Sequence, residues 1–206
     1  MMQRPGIRST AVAALLALTL AGCVAPPWQL TDKGGYTAEN AAFKVSLPTG
    51  WMWAKYLNAG YYVPRAERGQ WLAVDRVTLT RDGFGLEDID LVRFDLKDAF
   101  PHLQKPFAGN MLPSEAADLL IADLKKAGLE SLTVLGNEPA TIAGKPGFKL
   151  HVAYKNGRGL STERLMYGFG HKSGFYVLSY EAPGLYYFPT YKNAFLGVLN
   201  SFRLKG

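Results

Sequence analysis

The sequence predicts one α+β domain built on a mainly antiparallel sheet. Three observations predict it. Period-two stretches rich in β-formers outnumber helical ones, and most are joined by tight turns, as antiparallel neighbours require. Two segments carry apolar residues at helical spacing and must cover the sheet. The only cysteine is Cys23, so it has no disulfide partner and the fold rests on packing.

The chain opens with Arg4 and Arg8, then an apolar run from Ala11 to Leu20, then small residues before Cys23. That order is a secretory signal pattern. The run is about half of the roughly 20 residues that a helix needs to cross a bilayer. A transmembrane anchor is the competing reading, because no charge falls between Arg8 and Asp32. Gly22, Pro26 and Pro27 weigh against it, since they interrupt a helix where it would have to continue. Residues 1–22 are therefore assigned to a cleaved signal peptide, 23–40 to a tether and 41–206 to a single domain. Pro26-Pro27 and Gly34-Gly35 mark the tether, which as flexible coil reaches on the order of 20–25 Å. Trp28 belongs either at a lipid interface, where indoles are enriched, or on the domain.

Within the domain, Phe43, Val45 and Leu47 alternate with Lys44 and Ser46 as a half-buried strand. Pro48-Thr49-Gly50 turns the chain into a second strand through Trp51, Trp53 and Lys55. Trp71–Arg81 is rich in β-formers, Asp82-Gly83 is a turn, and Ile89–Leu96 is the returning strand. A loop spans Pro101–Asn110. Pro113-Ser114-Glu115 opens a helix striped by Ala116, Leu120, Leu124 and Ala127, with Gly128 as C-cap. Leu132–Ile142 is a strand interrupted by Pro139, hence an edge or bulged one. Gly144-Lys145-Pro146-Gly147 is a turn. Phe148, Leu150, Val152 and Tyr154 then point one way, with Lys149 and His151 the other. Hairpins at Asn156-Gly157 and at His171–Gly174 lead through Leu160–Gly170 to Phe175–Glu181. The last helix, Tyr187–Phe202, places Phe188, Tyr191, Phe195, Val198, Leu199 and Phe202 on one side.

Charge is unevenly distributed. From Ala143 onward there are nine Lys/Arg and two acids, against twelve and fifteen from Cys23 to Ile142. Either this is a solvated, uneven surface, or a basic face meets an anionic partner such as lipid headgroups or lipopolysaccharide phosphate. Nucleic acid is not an expected partner.

Catalytic and metal-binding patterns were sought. His102, His151 and His171 lack metal-ligand spacing and read as surface or turn residues. Gly168–Ser173 fails the spacing of a phosphate loop and reads as a hairpin turn. Glu87, Asp88 and Asp90 lack the glycine and terminal glutamate of a calcium loop and read as a solvated turn. Trp51, Trp53, Tyr61, Tyr62, Tyr186 and Tyr187 either line a binding surface or fill the core. No cofactor, no metal and no catalytic residue is expected.

Leu20-Ala21-Gly22-Cys23 resembles the lipobox of bacterial lipoproteins. The resemblance implies a diacylglyceryl group on the Cys23 thiol, cleavage before Cys23 and acylation of the freed amine. Stable anchoring takes at least two chains, at ~0.8 kcal/mol per buried methylene. Val24 follows Cys23. By the sorting rule that comes with the resemblance, valine favours the outer membrane, where aspartate would retain the protein at the inner one. Further along, Phe43-Lys-Val-Ser-Leu-Pro48-Thr-Gly-Trp51 resembles the opening strand and turn of PsbP-like domains, including the bacterial DcrB group. Gly144-Lys-Pro-Gly147-Phe148 is similar to that family's central hairpin, and Phe195, Val198 and Ser201-Phe202-Arg203 to its closing helix. This resemblance implies an α/β/α sandwich and a non-enzymatic accessory or protein-binding role. The expected function is a lipid-anchored protein on the periplasmic face of the outer membrane that binds another envelope protein. Binding of a small hydrophobic ligand or lipid in an aromatic cleft is the alternative.

Overall fold

The computed structural model describes residues 28–32, 34–37, 42–55, 73–83, 85–129, 131–156 and 159–205. Cys23, the signal segment, Tyr61 and Tyr62 lie outside the described residues. The strands are β1 (Gln29–Leu30), β2 (Gly35–Thr37), β3 (Phe43–Ser46), β4 (Met52–Lys55), β5 (Ala73–Thr80) and β6 (Asp88–Phe94), followed by β7 (Thr133–Ile142), β8 (Lys145–Lys155), β9 (Ser161–His171), β10 (Gly174–Pro183) and β11 (Arg203–Leu204). The helices are α1 (Pro113–Lys126) and α2 (Tyr187–Ser201). Eight strands form one sheet in the order β1-β4-β5-β6-β10-β9-β8-β7, with every pairing antiparallel. A small second sheet, β11-β3-β2, is antiparallel too.

The pleat divides the core in two. On β10, Phe175 and Val177 join one apolar cluster, while Tyr176, Leu178, Tyr180 and Ala182 join the other. Helix α1 brings Ala116, Ala117, Leu120 and Leu124 to the first cluster. Helix α2 brings Phe188, Phe195 and Val198 to the second, where Phe43 and Phe202 also meet. The expected alternation of Phe148, Leu150, Val152 and Tyr154 holds: all four face the α1 cluster. Helix α1 starts on Pro113, whose missing N–H is harmless there. The Glu115 carboxylate accepts from the Leu112 N–H at 2.9 Å.

Strand β7 is both an edge and bulged: it ends the sheet order, and its register with β8 slips between Val134 and Gly136. Pro139 costs little at an edge.

Two expectations are corrected and one left open is decided. First, residues 29–30 and 35–37 are strand and not spacer. Strand β1 pairs with β4 and β2 with β3, and buried Thr31 locks the crossing. Its hydroxyl lies 2.5 and 2.8 Å from the Pro48 and Trp51 carbonyls and accepts from the Trp51 N–H at 2.9 Å. These strands are too short for periodicity to reveal. Second, the β7–β8 turn is only Ala143-Gly144, both with positive φ, at 48° and 75°. Lys145, Pro146 and Gly147 already belong to β8. Third, Trp51 is 2% exposed and belongs to the core. Trp53 packs against it, with Tyr36 edge-on at 5.5 Å.

Candidate functional site

Register dictates what gathers on the α1 face of the sheet beyond the apolar cluster. Across the ladder, Thr78 stands opposite Asp90, Asp88 opposite Glu181, and Glu181 opposite Arg164. These side chains, with Arg76 and Thr80, make a polar half to an otherwise apolar face. Asp90 accepts from Thr78 Oγ1 at 2.5 Å and from Arg76 Nη2 at 3.1 Å. Arg164 Nη2 pairs with the Glu181 carboxylate and lies over the Tyr154 ring. On the opposite face of the sheet, Arg93 Nε donates to Asp75 Oδ2 at 2.7 Å.

Glu87, Asp88 and Asp90 are thus not a solvated turn. Glu87 is 1% exposed, and one of its oxygens accepts from Thr80 Oγ1 and from the Arg81 and Asp82 N–H groups at 2.5–3.0 Å. It staples the β5–β6 turn from inside. Among the described residues, Asp88 accepts the Gly85 N–H alone, at 3.2 Å. Burial, reinforced by the Asp90 charge, pushes its carboxyl up to about 8, so it holds its proton at neutral pH. The partners of Asp90, Arg76 and Thr78, lie on the neighbouring strand β5, so no local pattern announces them.

The same end of the sheet carries exposed apolar side chains. The β5–β6, β8–β9 and β10–α2 connections all emerge there, and the Gly184 N–H donates to Ser161 across the last two. Leu185 is 99% exposed, Tyr186 64% and Leu160 50%. Leu86 joins them from the β5–β6 turn, where Tyr191 of α2 donates to Asp82 at 2.6 Å. Of the aromatics singled out in the sequence, Tyr186 is therefore at the surface, packed edge-on against half-buried Tyr187.

The glycines of the rejected phosphate loop have a packing role. Gly168 lies in β9 directly opposite Phe148, whose ring occupies the place of its missing side chain. Gly170 is covered in the same way by Phe107. The apolar recess beside these rings encloses about 210 Å³, short of the roughly 300 Å³ at which small-molecule sites begin.

The histidines are scattered. His151 Nε2 meets Glu163 at 2.8 Å and its ring stacks on Phe188. His171 Nδ1 lies 2.7 Å from Ser173 Oγ. His102 precedes Leu103, whose N–H donates to buried Asp123 at 2.8 Å, and burial raises that carboxyl. Among the described residues, no three metal-ligating side chains converge. No helix among them is long and apolar enough to cross a membrane.

No protein-family model and no curated protein matches the chain. Solved structures do. Cyanobacterial PsbP (CyanoP) from Synechocystis superposes with a TM-score of 0.57 at 13% identity, over 91% of this chain and 99% of that one. The Ran-binding protein Mog1p of Saccharomyces cerevisiae gives 0.49 at 12% identity, over 85% and 96%. LpqN of Mycobacterium tuberculosis, involved in cell envelope biogenesis, gives 0.41 at 10% identity, over 88% and 93%. The CyanoP superposition carries the class: an α+β domain of PsbP-like fold. At such identities the likeness is one of fold and not of function.

Proposed function

We propose that this chain is a bacterial envelope lipoprotein, held by lipid on Cys23, whose domain docks another envelope protein. The domain is read as a non-enzymatic α/β/α sandwich, a reading supported by one helix on each of two core clusters. The observation that carries the docking is the exposed group Leu160, Leu185 and Tyr186 at one end of the sheet. Tyrosine is enriched among interface anchors, and exposed leucines at the same end of the sheet extend the apolar surface around Tyr186. The buried carboxylates beneath are engaged with arginines and turn amides, which suits a rigid platform. Val24 supports the outer membrane as destination, and the lipid would be laid down on the periplasmic side.

Two experiments test this. Palmitate labelling in the native host should mark the wild-type chain and not Cys23→Ala; equal labelling removes the anchor. A photocrosslinking residue at position 185 should give one discrete adduct, lost on Tyr186→Ala, while one at exposed Lys125 on α1 gives none. No adduct, or the same pattern from both positions, removes the docking surface.

A further inference from the structure

The opposite end of the sheet has the reverse character. Three segments remote in sequence converge there on an open recess of about 520 Å³. The start of β8 supplies Lys145, the β9–β10 turn supplies His171 and Lys172, and the C-terminal segment supplies Arg203 and Lys205. The basic excess of the C-terminal third thus has a location. Elsewhere in that third, Lys149 pairs with Glu138 and Arg164 with Glu181. The four cations of the recess have no carboxylate partner among the described residues. Arg203 spends Nη1 on the Asn200 and Phe202 carbonyls, at 2.8 and 2.7 Å, which pins its guanidinium. Lys44 stands directly opposite Arg203 in the β3–β11 ladder, a like-charge pairing that weakens a sheet. Burial, and then Lys145 and Lys172, lower the His171 pKa, as a locally positive field requires.

Convergent cations without a counter-charge cost stability, and an anion would offset that cost. A pinned guanidinium among ammonium groups matches the oxygens of a phosphate. We propose that this recess binds a phosphate-bearing anion, with Lys145, Lys172, Arg203 and Lys205 as its ligands. Two sources share that chemistry, an anionic lipid headgroup and soluble phosphate. The inference rests neither on acylation of Cys23 nor on the apolar end, and Leu185→Asp leaves it intact.

The test uses the full chain in zwitterionic detergent micelles and follows the backbone amides of the recess by NMR. One arm adds inorganic phosphate, and the other dopes the micelles with phosphatidylglycerol. Saturable shifts at residues 145, 171, 172, 203 and 205 are expected in at least one arm. Response to phosphate assigns the soluble ion; response to phosphatidylglycerol alone assigns the headgroup. The variant Lys172→Gln with Lys205→Gln removes two exposed charges and should weaken binding about twenty-fivefold, at roughly fivefold per charge. Its thermal midpoint without ligand should equal or exceed that of the wild type, which separates lost binding from lost folding. Lys149→Gln, a charge on the same strand already paired with Glu138, should bind as the wild type does. Silence in both arms, undiminished binding by the double variant, or an equal loss in Lys149→Gln overturns the proposal.

Discussion

Replacing Asp88 with asparagine should flatten part of the pH dependence of stability. In the fold its carboxyl titrates at about 8, and at the ordinary 3.8 once unfolded. Between those values the folded state keeps a proton that the unfolded chain releases. Stability from this group is therefore fully present below about pH 4 and falls as pH rises towards 8. At about 1.4 kcal/mol per pH unit the whole interval would give about 6 kcal/mol. The side chain is not wholly enclosed, and solvent screening reduces the effect to on the order of 2 kcal/mol. Asparagine mimics the protonated acid and retains an oxygen for the Gly85 N–H. Urea midpoints at pH 4, 6 and 9 would read this directly. The variant should match the wild type at pH 4 and exceed it by about 2 kcal/mol at pH 9, a rise in Tm of roughly 4–8 °C. An unchanged slope, or an asparagine variant less stable at pH 9, would refute the account of Asp88 as a buried, protonated acid.

Other outcomes follow from the packing. Gly168→Ala puts a methyl 2.2 Å from Phe148 Cζ, so the ring must leave its place, and should cost about 1–3 kcal/mol by chemical denaturation; a neutral result would mean the ring moves freely. Thr31→Val leaves the buried Trp51 N–H without its partner and should cost about 1–3 kcal/mol. An effect near zero would detach β1 from the fold. Leu185→Asp should leave the thermal midpoint unchanged, because the side chain is 99% exposed, while abolishing the adduct formed at Tyr186 by a photocrosslinking residue placed there. A lower midpoint would make Leu185 part of the core.

What was legible in the sequence is what chain-local periodicity encodes. Phe148, Leu150, Val152 and Tyr154 alternate because one face of β8 is buried, and Phe188, Phe195 and Val198 recur helically because α2 shows one side to the sheet. Pro139 marked an edge because proline cannot donate to a ladder. What escaped depends on partners far along the chain. Asp90 looks solvated until Arg76 and Thr78 arrive beside it. Lys145, Lys172 and Lys205 look like scattered surface charge until the turns bring them together. The packing role of strand glycines such as Gly168 stays hidden because the ring that fills the place of the side chain belongs to another strand.

The small β11-β3-β2 sheet has a consequence for the order of events during synthesis. Its central strand is among the first parts of the domain to be made, and β11 is among the last. Ser46 and Ser201, which clasp this junction, are 155 residues apart in the chain. Contacts of such separation form late and slowly. A nascent chain therefore cannot close this sheet until the 155 residues between Ser46 and Ser201 have been made. If the chain is exported as proposed, that delay keeps it threadable through the membrane.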